Sequence, residues 1–287
     1  MTYRDVFTAD DEGRSLVRPV VKNPTITTAS GIAVDLTFFG RYPAANYLTD
    51  GAPNTATLLR RSVDGGMDHG PSLGEGYTKF LAGFTLLSVT AAAAPMTGMV
   101  MDYMLYYPLI PMEDTQVMDN TVTLSRFADE GGQIMLVEQF AYTGGGTLQV
   151  TYTNQDGVAG RQSAIVTVNT QTAFGTIATS ESATAGCPGI FVPLQQGDRS
   201  ARKIESITFF TPDTGILAAV IVRPLGPFGT YETTNPSEWD MLHDLGRLPI
   251  IEDSNNQDAF LSAVITPTGS LSGAIIDAQL KTIWIQD

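Results

Sequence analysis

Two histidines stand in the chain, each beside carboxylates at a spacing that suggests chemistry. His69 ends the polar part of the run Asp64-Gly65-Gly66-Met67-Asp68-His69-Gly70. Asp64, Asp68 and His69 would supply two carboxylates and an imidazole, donors suited to a metal loop. Such a site needs further ligands nearby, and a polar surface loop is the plainer reading of the same run. His243 follows Asp240 by three residues and precedes Asp244. On a helix that spacing places Asp240 and His243 on one face, as an acid–base pair requires. No third partner is signalled, so a surface helix contact is the plainer expectation.

Three further patterns fall short of their motifs. Ser200-Ala201-Arg202-Lys203 has the spacing of a lysine-activated serine nucleophile. The companion Ser-Asp-Asn is missing, and Lys281-Thr282 is followed by Ile283 instead of glycine. Asp253-Ser254-Asn255-Asn256-Gln257-Asp258 begins like a calcium loop, but Asp258 stands where glycine belongs and Val264 where glutamate belongs. Asp240 and Glu252 are acids that a glycosidase could use, and nothing in their spacing pairs them. Phosphate loops, nucleophile elbows and Cys-x-x-Cys pairs are lacking. The expectation is a protein that is not an enzyme, with no catalytic residue, no metal and no cofactor.

The elements that would position any site read as strands. Ile32, Val34, Leu36 and Phe38 alternate, and so do Leu148, Val150 and Tyr152. The latter run turns at Asn154-Gln155-Asp156-Gly157 and returns through Ala164, Val166 and Val168. Ile204 to Phe210 and Ile216 to Val222 flank Pro212-Asp213-Thr214-Gly215, a turn signature that predicts a hairpin. Tyr77 to Val89 and Met99 to Leu109 predict a second, buried hairpin, although Val100, Tyr103, Met104 and Tyr107 also fit a helical face. Strands are expected again over Phe260–Thr266, Leu271–Ile276 and Leu280–Ile285. Asn235 as cap, Pro236, Glu238, the apolar Trp239, Leu242 and Leu245, and a terminal Gly246 predict one helix. A short helix from Thr55 to Arg61 is a further option. The fold class expected is all-β, an antiparallel β-sandwich or jelly-roll-like fold with long loops and one or two short helices.

Residues 1–30 read as an extended N-terminal arm, because Pro19 and Pro24 forbid a continuous helix. Arg4, Arg14 and Arg18 would meet acids on a neighbouring subunit, and Val17, Val20 and Val21 would supply apolar contact. These six are the candidate subunit interface; a strand pinned to its own domain is the alternative. Residues 31–225 form the sandwich domain. A composition shift at Leu225-Gly226-Pro227 sets off residues 226–287, a segment with the short helix and strands that either completes the same sandwich or stands apart.

Composition narrows the partners. Of 287 residues, 43% are hydrophobic and 16% charged, less charge than the usual quarter or so. A disordered chain or a charged helical bundle is therefore disfavoured. The net charge of −14 repels phosphate backbones and anionic lipid heads, so neither nucleic acid nor membrane is an expected partner. The stretch Phe80 to Met101 is the most apolar, but Gly83, Pro95 and Gly98 break it too often for a spanning helix. Cys187 is the one cysteine, which excludes an internal disulfide framework. Met1-Thr2-Tyr3-Arg4-Asp5 opens no apolar core, so no signal peptide is expected.

Three runs carry a family resemblance. One is Asp102-Tyr103-Met104-Leu105-Tyr106-Tyr107-Pro108-Leu109 with Met118-Asp119-Asn120-Thr121-Val122-Thr123-Leu124. Another is Tyr152 through Arg161, Tyr-Thr-Asn-Gln-Asp-Gly-Val-Ala-Gly-Arg. The third is Val192-Pro193-Leu194-Gln195-Gln196-Gly197-Asp198, continuing through Ile204-Glu205-Ser206-Ile207-Thr208-Phe209 to Val222-Arg223-Pro224-Leu225. With Ile283-Trp284-Ile285 they cover much of 77–285, and the chain resembles β-rich structural virion proteins of tailed bacteriophages. The resemblance implies a capsid decoration or cement protein, made in the bacterial cytoplasm and located in the virion. Its partners would be itself, as a homo-oligomer with a trimer favoured, and other virion proteins such as the major capsid protein. A tail or head-to-tail component is the alternative within that class. A major shell protein would want a long spine helix, and none is signalled. A carbohydrate- or receptor-binding β module is the alternative outside it, with Tyr42, Tyr47 and Tyr77 as a sugar platform.

Overall fold

The computed structural model describes residues 2–45, 51–88, 94–170, 173–180, 185–230, 232, 237–240, 248–253 and 257–287. In chain order the elements begin with α1 (Tyr3–Asp11), β1 (Ser15–Lys22), β2 (Val34–Asp35), a 3-10 turn (Leu36–Phe38), β3 (Arg41–Tyr42), β4 (Thr57–Leu58) and α2 (Arg61–Asp64). They continue with β5 (Tyr77–Ser88), β6 (Met96–Pro111), β7 (Thr115–Val117), β8 (Gln133–Phe140), β9 (Thr147–Asn154), β10 (Arg161–Gln162) and β11 (Val166–Thr167). The last are β12 (Ala201–Phe209), β13 (Ile216–Thr230), β14 (Ser237–Asp240), β15 (Ile250–Glu252), β16 (Phe260–Pro267) and β17 (Ile276–Gln286). The protein is all-β and antiparallel, with two short helices among the described residues.

The strands form three sheets. The first runs β14-β5-β17-β1-β3 with β15 also on β5; the central one runs β2-β16-β6-β13-β8 with β4 also on β6; the outer one runs β10-β9-β12-β7 with β11 also on β9. Residues 175–178 close the central sheet on itself. Val137 bridges Ile177 on one side, and Val34 bridges Thr176 on the other. Ile177 N donates to Ala33 O at 2.8 Å and Glu138 N to Thr176 O at 2.8 Å, so the edge of β8 is not left with unpaired backbone groups.

Alternation decides which core each side chain enters. Along β13, Ala218, Val220 and Val222 join the cluster shared with the first sheet. Leu217, Ala219 and Ile221 join the cluster shared with the outer sheet. Met135 and Val137 on β8 split from Ile134 and Leu136 in the same way. A strand buried on both faces reads as a near-continuous apolar run; β6 is buried without interruption from Val100 to Pro108, and its one charged position there, Asp102, is paired with Arg126. Each fully buried Leu or Val contributes about 1.5–3 kcal/mol relative to exposure. Gly98 interrupts β6 because a Cβ there would lie 2.3 Å from the Phe228 ring.

Four expectations are corrected. β5 and β6 do not form a hairpin: β5 pairs with β17 and β6 with β13 and β16. The Pro212–Gly215 turn is real, but it carries the chain from the outer sheet (β12) to the central sheet (β13). Asp213 fixes that turn by accepting from Thr143 N, Gly144 N and Thr214 N. Over Ser237–Asp240 the expected helix gives way to β14, which adds to the edge of β5 with Trp239 opposite Phe84; its other positions, Asn235, Pro236, Leu242, Leu245 and Gly246, lie outside the described residues. An edge strand's unpaired backbone groups outweigh a local helix preference of a few tenths of a kcal/mol per residue. The helix option at Thr55–Arg61 gives way to β4 and the short α2.

The N-terminal segment is not a free arm. α1 is capped by Thr2, whose hydroxyl accepts from Asp5 N. It seats Val6 and Ala9 on Ala82, Leu248 and Ile283. β1 then lies between β17 and β3, in register from Ser15↔Ile283 to Lys22↔Ile276. β16 and β17 likewise complete the central and first sheets, and the boundary expected at residue 225 falls inside β13.

Candidate functional site

His69 is buried, and both of its ring nitrogens face groups of the chain itself. Its Nδ1 faces the Lys79 Nζ at 3.2 Å and its Nε2 faces the Ala259 carbonyl oxygen at 3.0 Å. With the ammonium donating to Nδ1, Nε2–H donates to the carbonyl, and both nitrogens are used. Burial, and then the Lys79 charge, hold the imidazole well below its ordinary pKa, so it is neutral. Asp64 accepts from Arg60 N at 2.8 Å, and Asp68 from Gly70 N at 2.9 Å with Arg18 and Arg61 close by. Among the described residues, no group of three or more His, Cys, Asp or Glu side chains is placed to hold a metal ion.

Lys79 is the residue that sequence reasoning missed. It and Glu252 are direct cross-strand neighbours on β5 and β15. Both are buried, with Nζ 2.5 Å from Oε2. Nζ also donates to Gly70 O at 3.1 Å and lies 4.8 Å from the Trp284 ring centre. Burial pushes the lysine's pKa down, and the Glu252 carboxylate opposes that shift. The available signal was period-2 phase: Lys79 falls on the inward face of a strand in a chain with four lysines.

Two more buried polar groups flank this cluster. Arg126 pairs with Asp102 on β6 and donates to the carbonyls of Leu59 and Asp258. Asp258, from the calcium-like run, accepts from the backbone and hydroxyl of Ser62, with Arg61 at 3.4 Å. Asp253 accepts from Gln257 N. Asp35 accepts from Tyr103 OH at 2.7 Å, Ser262 Oγ at 2.7 Å and Thr37 N at 2.9 Å; burial still pushes its carboxyl up.

The other sequence candidates are spent on structure. Ser200 donates its hydroxyl to Glu130 O, just before β12 begins at Ala201. The hairpin run and the Val192–Asp198 run converge instead on one carboxylate. Asp198 accepts from Tyr152 OH at 2.7 Å, Asn154 Nδ2 at 2.8 Å and Arg161 Nε at 2.9 Å. The Arg161 bond, foremost, lowers Asp198 to about 2. His243 and Tyr47 lie outside the described residues, and Asp240 is placed only as the end of β14.

The six interface candidates divide. Val20 is buried at 1% exposure in the chain's own core and cannot meet a neighbour. Arg14 donates to Trp284 O at 2.7 Å and pairs with Glu12. Arg18 faces Asp68 at 3.5 Å, and Val21 is half-buried. Arg4 and Val17 stay exposed. Beside them α1 turns Tyr3 (55% exposed) and Phe7 (67% exposed), one helical turn apart, to solvent. At the ends of β6, β13 and β16 lies a cleft of about 380 Å³. Pro95, Met96 and Pro267 line its apolar side, and Thr97, Thr230 and Thr266 supply hydroxyls.

No family model matches the chain, and no curated protein does. Among solved structures, a chain of the T=1 particles derived from infectious bursal virus shares 10% identity at a TM-score of 0.21, over 96% of this chain and 79% of that one. A chain of the infectious bursal disease virus Gx strain shares 10% identity at a TM-score of 0.14, over 96% and 42%. TM-scores this low carry no weight on fold or on function.

Proposed function

We propose that the protein is a structural component of a tailed-phage virion, decorating or cementing the capsid shell through contacts between subunits. The observation that carries this is the face made by α1 and β1. Tyr3, Phe7 and Val17 expose large apolar surface there beside Arg4, in a chain with a net charge of −14. Interfaces favour aromatic residues and arginine. Ser200 and Asp258, two side chains of the motif-like runs, are tied into internal hydrogen bonds. The resemblance over residues 77–285 points the same way. The partners are further copies of the chain, with a trimer favoured, and a shell protein. The test is sedimentation of the purified protein, alone and with shells lacking it. A stable oligomer or shell binding that Phe7→Ser weakens supports the reading. A monomer that binds no shell removes it.

The cleft at the ends of β6, β13 and β16 favours a second reading, a receptor- or carbohydrate-binding module, since hydroxyls rim an apolar floor. Glycan-array binding abolished by Met96→Arg would establish it.

A further inference from the structure

The Lys79–Glu252 pair is arranged for condensation. Nζ lies 2.5 Å from Oε2, and among the described residues Oε2 has no aligned hydrogen-bond donor. The two residues are opposed in register on β5 and β15, so the sheet itself holds amine against carboxyl. Both side chains are buried, at 0% and 3% exposure. Burial pushes the Lys79 ammonium toward the amine, the form whose lone pair can attack. The imidazole of His69, with Nδ1 3.2 Å from Nζ, completes the group. Holding the reactants together supplies the proximity that a free amine and acid lack in water.

We propose that Lys79 and Glu252 join in an intramolecular isopeptide bond. One ammonium proton passes to the carboxylate, giving amine and acid. The nitrogen lone pair then adds to Cδ, forming the C–N bond. Nδ1 of His69 takes the second proton from nitrogen. The Cδ–OH bond breaks, and the hydroxyl leaves with that proton as water, returning His69 to neutral. No oxidant or co-reactant is needed. Glu252 lines a cavity of about 130 Å³ with Ser125, Arg126 and Gln257, into which the water can depart. The product amide keeps one N–H, and Gly70 O, now 3.1 Å from Nζ, is placed to accept it.

The test is the intact mass of the folded, then denatured, wild-type chain. The expected result is a mass lower than the sequence requires by one water. A digest should give one branched peptide joining Lys79 to Glu252. Glu252→Ala and Lys79→Met should each have the full mass of their sequences. His69→Gln should slow or stop the loss of water. A wild-type chain of full mass after prolonged incubation overturns the proposal, and so does a deficit that persists in Glu252→Ala. The wild-type measurement stands whether or not the variants fold.

Discussion

The two faces of the central sheet are filled by different physics. Toward the outer sheet the core is apolar, built from Ile134, Leu136, Val150, Ile204, Leu217 and Ile221. Tyr107 and Tyr152 enter it with their hydroxyls satisfied by Asn120 and Asp198. Toward the first sheet the core shares its space with buried ionisable side chains: Lys79 beside Glu252, Arg126 with Asp102, and Asp35 among hydroxyls. The apolar face gains stability from area and tolerates conservative swaps. The charged face has partners that must all be present, because a buried charge that loses its partner costs more than the pair contributes.

Breaking one partner on the charged face should have the largest effect. Asp102→Ala leaves the Arg126 guanidinium uncompensated and should cost about 3–5 kcal/mol in chemical denaturation. Replacing both, Asp102→Leu with Arg126→Met, should recover most of that loss. A double variant as unstable as the single one would refute this account of the charged face. On the apolar face Leu136→Ala should cost about 3 kcal/mol through lost burial and cavity, and no second-site change of charge should rescue it.

Glu138 sharpens the contrast through pH. It sits where residues 175–178 close the central sheet, accepting from Thr176 Oγ1 at 2.9 Å. Burial, opposed by that hydroxyl, raises its pKa from 4.5 to about 7. The folded state therefore holds a proton that the unfolded chain releases. This group's contribution is full below pH 4.5 and is lost as pH rises to about 7. Glu138→Gln should remove that decline, raising stability at pH 8 relative to wild type by on the order of 2 kcal/mol. Equal slopes of stability against pH in the two proteins would count against it. The smallest stability effect belongs to the surface: Phe7→Ser should change unfolding by less than about 0.5 kcal/mol while reducing self-association in sedimentation.

The candidate sites were unevenly legible. His69 stood out because imidazoles are rare here, but its partner on β5 did not, since Lys79 and Glu252 are 173 positions apart in the chain. The Asp198 clasp was half visible: its donors lie in the run Tyr152–Arg161 and its acceptor in Val192–Asp198, and their meeting depends on β9, β10 and the loop before β12. The N-terminal segment misled because its prolines and charges resemble a linker. Pro19 is tolerated in β1 because a proline costs a strand only the ladder bond its missing N–H would make.

By itself the sequence determined the all-β class, the alternation along β9, and the burial of the stretch around β6. Those follow from side-chain period and composition, which act over a few residues. Tertiary structure alone decided which strands pair. Both expected hairpins at β5/β6 and β12/β13 opened into crossings between sheets. The partners came from afar, as with β1 and β17 at opposite ends of the chain. Closing a longer loop costs only logarithmically more entropy. A distant strand that buries an apolar face and satisfies a ladder therefore outcompetes a near one that does neither. The same rule turned the segment around Trp239 from a locally favoured helix into β14.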